Sequence, residues 1–316
     1  MKSFFHPLLI IICFFLVSSF ASIEPKDKKE TLYHDGYRRT YYVHLPTDYD
    51  PAKKYPLVFG LHGGGGKAKA FNRSTNRRLS ELADEEDFIV VYPQGVKKSW
   101  NDNKNREPNG AARKLNIDDV GFFRKLIEKL ENEYSIDSRY IFSCGISNGG
   151  LMSLTLAAEL PEKIRVIGMV ASNFGEIQAS QMSEATPFSV MIIHGTEDPI
   201  FPYDEGNVTI FKQNRGKVLG VNQSIGFANY LNGSDAKVIR EELPNPNKTD
   251  NCTATHYKYI NTYNPGSKVE LIKVIGGGHT WPGGFQYLPK KLIGEVSKDF
   301  NAADKLWEFF ESHIEE

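Results

Sequence analysis

The chain has 316 residues, of which 40% are hydrophobic, 12% aromatic and 24% charged. This hydrophobic content excludes a disordered chain. The 38 lysine and arginine residues nearly balance the 39 aspartate and glutamate residues, so no broad basic surface indicates a protein that binds nucleic acid. Three cysteines are too few for a disulfide scaffold or a cysteine-rich zinc module.

The N-terminus has the pattern of a secretory signal peptide. A lysine follows the initial methionine, residues 8–17 form an unbroken apolar run, and small residues lead up to Ala21. The run is about half as long as a membrane-spanning helix, which needs about 20 residues. We therefore expect a signal peptide at residues 1–21, a mature chain at residues 22–316 with no stable membrane span, and a secreted or periplasmic location. The alternatives are an uncleaved anchor or a buried strand.

Strand-like and helix-like segments alternate along the rest of the chain. In chain order, the pattern predicts strands at residues 38–45, 57–61 and 88–92, a helix at 120–134, a strand at 140–142, a helix at 151–160, strands at 164–170, 190–193 and 269–275, and a helix at 302–312. Asp118 and Asp119 are placed to cap the first helix, and Pro161 ends the second. This alternation predicts an α/β fold with a mostly parallel central sheet flanked by helices.

One domain is expected after the signal peptide. No internal repeat or low-complexity linker divides the chain, and the polar, turn-rich stretch at residues 245–253 is predicted to be a surface loop.

The pattern G-x-S-x-G occurs at residues 145–149, between a predicted strand and a predicted helix. This is the context of a nucleophile elbow, in which glycines leave room for a strained turn that exposes the serine hydroxyl. The helix also directs the positive end of its dipole toward any developing negative charge. We predict Ser147 as the nucleophile. The alternative is a glycine-rich turn whose serine has no catalytic role.

A serine nucleophile needs a base to remove its proton. Of the eight histidines, His279 lies in a glycine-rich loop, residues 276–284, directly after a late predicted strand. An α/β fold of this kind places its base in such a loop, so we predict His279. The alternative is a loop histidine without a role.

The base in turn needs a carboxylate that fixes its tautomer and stabilises the imidazolium. Asp198 and its neighbour Glu197 follow the predicted strand at 190–193. Adjacent turn residues point in different directions, and we prefer Asp198. The chain order Ser147, Asp198, His279 is the order of α/β-hydrolases and differs from the chymotrypsin and subtilisin orders.

The transition state of acyl transfer also needs hydrogen-bond donors for its oxyanion. The backbone N–H of Asn148, next to the nucleophile, is one expected donor. The second is expected from the glycines that follow His62 after an early strand, with Gly64 preferred and Gly65 as the alternative. His62 itself is expected to orient this loop through hydrogen bonds. A phosphate-binding loop is disfavoured, because no Gly-Lys-Ser/Thr ending follows.

No metal or cofactor is expected. The histidines lack H-E-x-x-H spacing and the cysteines lack a C-x-x-C pair. Cys144, which precedes the elbow, is expected to be a buried strand-end residue. Trp281 and Trp100 are candidates for the walls of an acyl or aryl pocket, with a place in the core as the alternative for each.

The residues that carry these predictions resemble one esterase family. The motifs are LHGGGG (61–66), YPQG with a following tryptophan, DDVGF (118–122), GISNGG (145–150), HGTEDPIFPY (194–203) and GGGHTWPGG (276–284). They look like those of the secreted polyhydroxybutyrate depolymerases, feruloyl esterases and acetylxylan esterases among the α/β-hydrolases. The resemblance extends from about residue 30 to the C-terminus, and the late HTWPGG motif is its most specific part.

The resemblance implies a secreted serine esterase with Ser147, Asp198 and His279 as its triad and a small or oligomeric ester as its substrate. Members often have a small residue and an alanine where this chain has Ile146 and Asn148, which we expect to alter the acyl pocket. The alternatives are a serine peptidase of the prolyl-oligopeptidase type and a non-enzymatic binding protein on a hydrolase fold. The chain has no room for the β-propeller that such a peptidase usually carries.

Overall fold

The computed structural model describes residues 27–103, 110–182, 187–210, 212–233, 237–261 and 266–315. The predicted signal peptide, residues 1–21, lies outside the described residues.

The strands of the described chain are β1 (Lys28–His34), β2 (Tyr37–His44), β3 (Tyr55–Leu61), β4 (Ile89–Pro93), β5 (Ile136–Ile146), β6 (Val166–Val170), β7 (Ser189–Gly195), β8 (Gly206–Ile210), β9 (Gln213–Val218), β10 (Lys237–Glu242), β11 (Thr253–Ile260) and β12 (Val269–Ile275).

The helices are α1 (Ala68–Ser74), α2 (Arg78–Glu85), α3 (Ala111–Lys114), α4 (Asp119–Glu133), α5 (Asn148–Glu159), α6 (Glu176–Gln181), α7 (Val221–Leu231), α8 (Lys290–Ile293) and α9 (Ala302–Glu311), and a short 3-10 turn covers Val96–Lys98.

Ten of these strands form one sheet in the order β1-β2-β4-β3-β5-β6-β7-β12-β11-β10, while β8 and β9 form a separate hairpin. The central strands from β4 to β12 pair in parallel, and the strands at both edges pair antiparallel. Strands β4, β6 and β7 are buried along their whole length, as expected for parallel strands covered on both faces. The predicted mostly parallel α/β sheet is therefore confirmed.

Hydrophobic clusters on the two faces of the sheet make up the core. One contains α4 and α5 residues such as Phe123 and Met152, and the other contains α2 and α9 residues such as Leu79 and Trp307. In the second cluster the rings of Phe88 and Trp307 stack with their centroids 3.9 Å apart. Both helix layers bury an apolar face against the parallel strands, which fixes the positions of the loops at the strand ends.

The two acidic residues predicted to cap α4 have different tasks. The Asp118 side chain accepts a hydrogen bond from the Gly121 N–H, which is the expected N-cap interaction. Asp119 is instead buried and accepts a hydrogen bond of 2.6 Å from the Arg39 guanidinium. Its other oxygen accepts a hydrogen bond of 2.7 Å from the Asn101 N–H. Asp119 thus ties β2 and α4 to the loop after the 3-10 turn.

Cys144 and Cys252 are both buried free thiols, and they form no disulfide in the described structure. Cys144 lies in β5 within the core, as predicted. Burial raises the pKa of each thiol to about 12. Neither cysteine is therefore a thiolate near neutral pH.

Candidate active site

A cavity of about 540 Å³ lies at the carboxyl ends of the central parallel strands. Loops that follow β3, β5, β7 and β12 all contribute to its wall. This end of a parallel sheet is where α/β proteins bind their ligands. The topology therefore brings Ser147 and His279 to one cavity, although they are far apart in the sequence.

Ser147 lies on the sharp turn between β5 and α5. Its backbone has φ 57° and ψ −122°, a conformation that costs energy in an L-residue and persists only when its surroundings enforce it. The Ser147 N–H donates to the Val170 carbonyl at 2.9 Å, and its own carbonyl accepts from the Leu151 N–H at 3.1 Å. The strand-turn-helix arrangement expected of a nucleophile elbow is present.

The glycines of the G-x-S-x-G motif allow this turn to pack against the end of β3. A Cβ atom on Gly149 would lie 2.4 Å from the Leu61 carbonyl oxygen, and one on Gly145 would lie 2.8 Å from the same atom. A side chain at either position would push the turn away from β3. The elbow and the glycine-rich loop after β3 are thereby held next to each other.

The predicted acid and base are in direct contact. His279 Nδ1 and Asp198 Oδ2 are 2.8 Å apart, and the Asp198 side chain has no solvent exposure. Asp198 Oδ1 accepts hydrogen bonds from the N–H groups of Ile200 at 2.8 Å and Phe201 at 2.7 Å. Of the two neighbouring carboxylates, Asp198 is therefore the one in contact with His279, while Glu197 is exposed.

The two predicted sources of oxyanion donors differ in availability. Asn148 is the first residue of α5, so its N–H has no acceptor within the helix. Gly64 lines the cavity, and its N–H has no hydrogen-bond partner among the described residues. The alternative donor Gly65 is wrong for this conformation, because its N–H already donates to the Lys98 carbonyl at 2.7 Å.

His62 orients the glycine-rich loop, as predicted. Its Nδ1 lies 2.8 Å from the Gly63 carbonyl, and its Nε2 accepts hydrogen bonds from the Gly95 N–H and the Gln94 side chain, each at 3.0 Å. Burial lowers the pKa of His62 to about 4. The ring is therefore neutral at neutral pH, with the proton on Nδ1.

Trp100 does not line the cavity, and the prediction of a pocket wall is wrong for this residue. It is fully buried, and its indole Nε1 donates to the His62 carbonyl at 2.8 Å. The centroid of its ring lies 4.9 Å from that of the His62 imidazole and 5.7 Å from that of the Phe123 ring. Trp100 therefore supports the glycine-rich loop from the core side. Trp281 does line the cavity, where its ring meets Phe71 edge-on.

The side chain of Asn148 is turned toward a neighbouring loop. Its Oδ1 accepts from the Trp100 N–H at 2.8 Å, and its Nδ2 donates to the Asp102 carboxylate at 2.9 Å and to the Trp100 carbonyl at 3.2 Å. The expectation that Asn148 alters the acyl pocket is therefore wrong, because its amide holds the start of α5 to the loop at residues 100–102. Ile146 does line the cavity.

A segment that sequence reasoning missed forms one side of the cavity. This rim segment, residues 285–293, contributes Phe285, Tyr287, Leu288, Leu292 and Ile293 to the wall. The Ile293 carbonyl accepts from the His279 N–H at 2.6 Å, and the Tyr287 hydroxyl donates to the His279 carbonyl at 2.9 Å. No motif marks this segment. Its only sequence signal is the cluster of large apolar residues after the HTWPGG motif.

Within the described residues, no cluster of three or more histidine, cysteine, aspartate or glutamate side chains is arranged to hold a metal ion. The described helices are all too short or too polar to span a bilayer.

Comparison with known proteins identifies the family. A sequence model of the esterase family, described as "Putative esterase", matches residues 35–201, just over half of the chain. The chain is 29% identical over 261 residues to "Putative esterase NocK" of Nocardia uniformis subsp. tsuyamanensis, a match that covers 80% of this chain and 73% of that protein. It is 28% identical over 186 residues to "Feruloyl esterase C" of Emericella nidulans, covering 56% of this chain and 62% of that protein.

The fold has a matching solved structure. The acetyl xylan esterase from Aspergillus awamori superposes with a TM-score of 0.56 and 16% identity, covering 90% of this chain and 99% of that one. At this identity the likeness concerns the fold alone. The chain therefore belongs to the "Putative esterase" family, and it is a carboxylic-ester hydrolase on an α/β-hydrolase fold.

Proposed function

We propose that the protein is a secreted serine esterase that hydrolyses carboxylic esters through a Ser147-His279-Asp198 triad and an acyl-enzyme. The observation that carries the proposal is the 2.8 Å contact between His279 and the buried Asp198, at a cavity that also contains the strained Ser147 turn. A carboxylate on Nδ1 holds the imidazole with Nε2 free to accept a proton.

The reaction has two acyl-transfer steps. Ser147 Oγ attacks the ester carbonyl while His279 Nε2 takes its proton, and the tetrahedral intermediate collapses as the alcohol leaves with that proton. Water then attacks the acyl-enzyme by the same route, which releases the acid and restores Ser147. The N–H groups of Asn148 and Gly64 are the proposed oxyanion donors, and each donor of this type contributes about 10²–10³ to kcat.

The proposed substrates are feruloyl, acetyl-xylan or polyhydroxybutyrate-type esters. The cavity wall is mainly apolar, with side chains such as Phe71, Ile146 and Trp281, which suits an uncharged acyl or aryl group. Relatives named for feruloyl and acetylxylan esters support the first two substrates. A direct comparison of ethyl ferulate, acetylated xylan oligomers and hydroxybutyrate oligomers decides among them through their kcat/KM values.

The proposal includes a signal peptide at residues 1–21 and a single catalytic domain at residues 22–316. N-terminal sequencing of the protein after export tests the cleavage site. A mature chain that begins at residue 22 supports the proposal, and a chain that retains residues 8–17 contradicts it.

The central test is the Ser147→Ala variant. We expect it to lose 4-nitrophenyl acetate turnover and labelling by a fluorophosphonate, while its circular dichroism and melting temperature stay close to those of the unchanged protein. Ser143→Ala is a matched control, since Ser143 lies in β5, the strand that leads to the Ser147 turn, and its hydroxyl bonds that of Ser153 in the core. Ester hydrolysis that persists in Ser147→Ala contradicts the assignment. Cleavage of a peptide panel in preference to esters would instead favour the peptidase.

A further inference from the structure

Two lysines line the mainly apolar wall of the cavity. Lys67 immediately precedes α1, directly after the glycine-rich loop, and Lys212 lies in the turn between β8 and β9. The two residues belong to separate parts of the fold and both border the same cavity. Their convergence places two positive charges at a site that otherwise offers mainly apolar contacts.

No residue that the structure describes neutralises the charges of these lysines. Neither Lys67 nor Lys212 forms an ion pair with a described residue, and no aspartate or glutamate lines the cavity. Other lysines nearby do have partners. Lys217, on the same hairpin as Lys212, pairs with Glu205 at 2.6 Å, and Lys290 in the rim segment pairs with Glu295.

The carboxylate of the proposed triad is already occupied. The Asp198 carboxylate has no solvent exposure and is already bonded to His279 and to two backbone N–H groups. Charges of one sign beside low-dielectric walls focus the field and raise the local concentration of oppositely charged substrate. The field at the mouth of the cavity therefore favours an anion.

We propose that the preferred substrates are esters that also carry a carboxylate, which Lys67 and Lys212 bind while Ser147 attacks the ester group. This inference rests on the proposed esterase function and specifies the substrate class of the same site. The apolar wall holds the hydrocarbon part of such a substrate. The lysines bind the carboxylate at the mouth, where its desolvation cost is small.

The test compares pairs of esters that differ only in a carboxylate and an uncharged carboxamide. For a charge on the alcohol side the pair is 4-acetoxybenzoate and 4-acetoxybenzamide. For a charge on the acyl side it is the monoethyl ester of adipic acid and its carboxamide. We expect kcat/KM to favour the carboxylate about tenfold in at least one pair at low salt. The preference should shrink in 0.5 M NaCl, since salt screens charges beyond a few ångströms.

The preference is expressed as the ratio of kcat/KM for the carboxylate ester to kcat/KM for the carboxamide ester. This ratio should fall toward one in Lys67→Gln and in Lys212→Gln, and it should fall furthest in the double variant. Lys69→Gln is the matched control, because Lys69 is an exposed lysine on α1 that does not line the cavity. It removes one positive charge close by, and we expect it to retain the preference.

A ratio of one or less for both pairs in the unchanged protein overturns the inference, and so does a ratio that the double variant retains. An equal loss in Lys69→Gln also overturns it, because the effect would then reflect net charge. Hydrolysis of the carboxamide esters separates this failure from failure of the proposed function. If they are hydrolysed without a carboxylate preference, only the substrate class is wrong.

Discussion

The hydroxyl of Tyr287 donates a hydrogen bond of 2.9 Å to the backbone carbonyl of His279. The His279 N–H donates in turn to the Ile293 carbonyl, so the rim segment bonds both the backbone N–H and the backbone carbonyl of the histidine. The same segment forms part of the cavity wall. A substrate that contacts this wall would therefore lie against the segment that holds the proposed base.

Tyr287→Phe should lower kcat about 3- to 10-fold with a smaller change in KM. A typical hydrogen bond contributes about 1 kcal/mol, and the phenylalanine ring keeps the apolar contact with substrate. Steady-state kinetics on 4-nitrophenyl esters measures the split. Tyr230→Phe, at an exposed site on α7, is the control and should leave both constants unchanged. A Tyr287→Phe protein with unchanged kcat would show that the hydroxyl does not position His279.

Asp198→Asn should reduce kcat about 10⁴-fold, because the amide cannot hold the same histidine tautomer or stabilise the imidazolium. The adjacent Glu197 is exposed, and Glu197→Gln should retain near-normal activity. The two variants together test which carboxylate serves the base. Comparable losses in both would contradict the geometric preference for Asp198.

Asn148→Ala should destabilise the protein by about 1–3 kcal/mol. The change removes the acceptor of the buried Trp100 N–H and one of the hydrogen bonds to the Asp102 carboxylate near the elbow. Chemical denaturation measures the change in the free energy of unfolding. The backbone N–H at position 148 is retained, so we expect residual esterase activity. A variant as stable as the unchanged protein would show that the hydrogen bonds of the Asn148 side chain contribute nothing measurable to the free energy of unfolding.

Acid should destabilise the protein through His62, whose pKa is lowered to about 4 by burial. Above pH 6.5 the ring is neutral in both the folded and unfolded states. Between pH 6.5 and 4 the unfolded chain binds a proton that the folded protein excludes, so stability falls as the pH falls. The loss at pH 5 is about 2 kcal/mol. His194 and His313 have lowered pKa values as well, so the His62 contribution is measured as a difference between proteins. In urea denaturation, the unchanged protein should lose about 2 kcal/mol more stability between pH 7 and pH 5 than His62→Gln does. Equal pH dependence in both proteins would refute the role of His62.

The central sheet was predictable because its strands are short, continuously apolar runs. Residues such as those of β4 and β7 are buried on both faces and read as strands without further information. The edges were not predictable in the same way. All six residues of β10 are exposed and mostly charged, and its pairing depends on the neighbouring β11. The β8–β9 hairpin was also missed, although it contributes to the cavity.

In the candidate site, too, some residues could be predicted from motifs, while others are revealed only by the tertiary structure. Ser147 and His279 could be proposed from the sequence because short motifs place each of them after a predicted strand. Trp100 could not be assigned correctly, since a tryptophan in a pocket wall and one in the core look alike until its bond to the His62 carbonyl is seen. The alternative prediction of Gly65 as an oxyanion donor was wrong for a comparable reason. The N–H of Gly65 bonds a backbone carbonyl more than thirty residues away, which the sequence does not reveal. Tyr287 has no motif, and only tertiary structure reveals its contact with His279.

Among the described residues, the only two thiols, those of Cys144 and Cys252, are buried and unreactive in the folded protein. Their pKa values of about 12 and their burial protect both from alkylating dyes under native conditions. A Thr209→Cys replacement, at an exposed β8 residue that lines the cavity, would therefore accept a fluorophore in preference to these two thiols. Its emission would then report the arrival and departure of ligand in real time, without any need to replace Cys144 and Cys252 first.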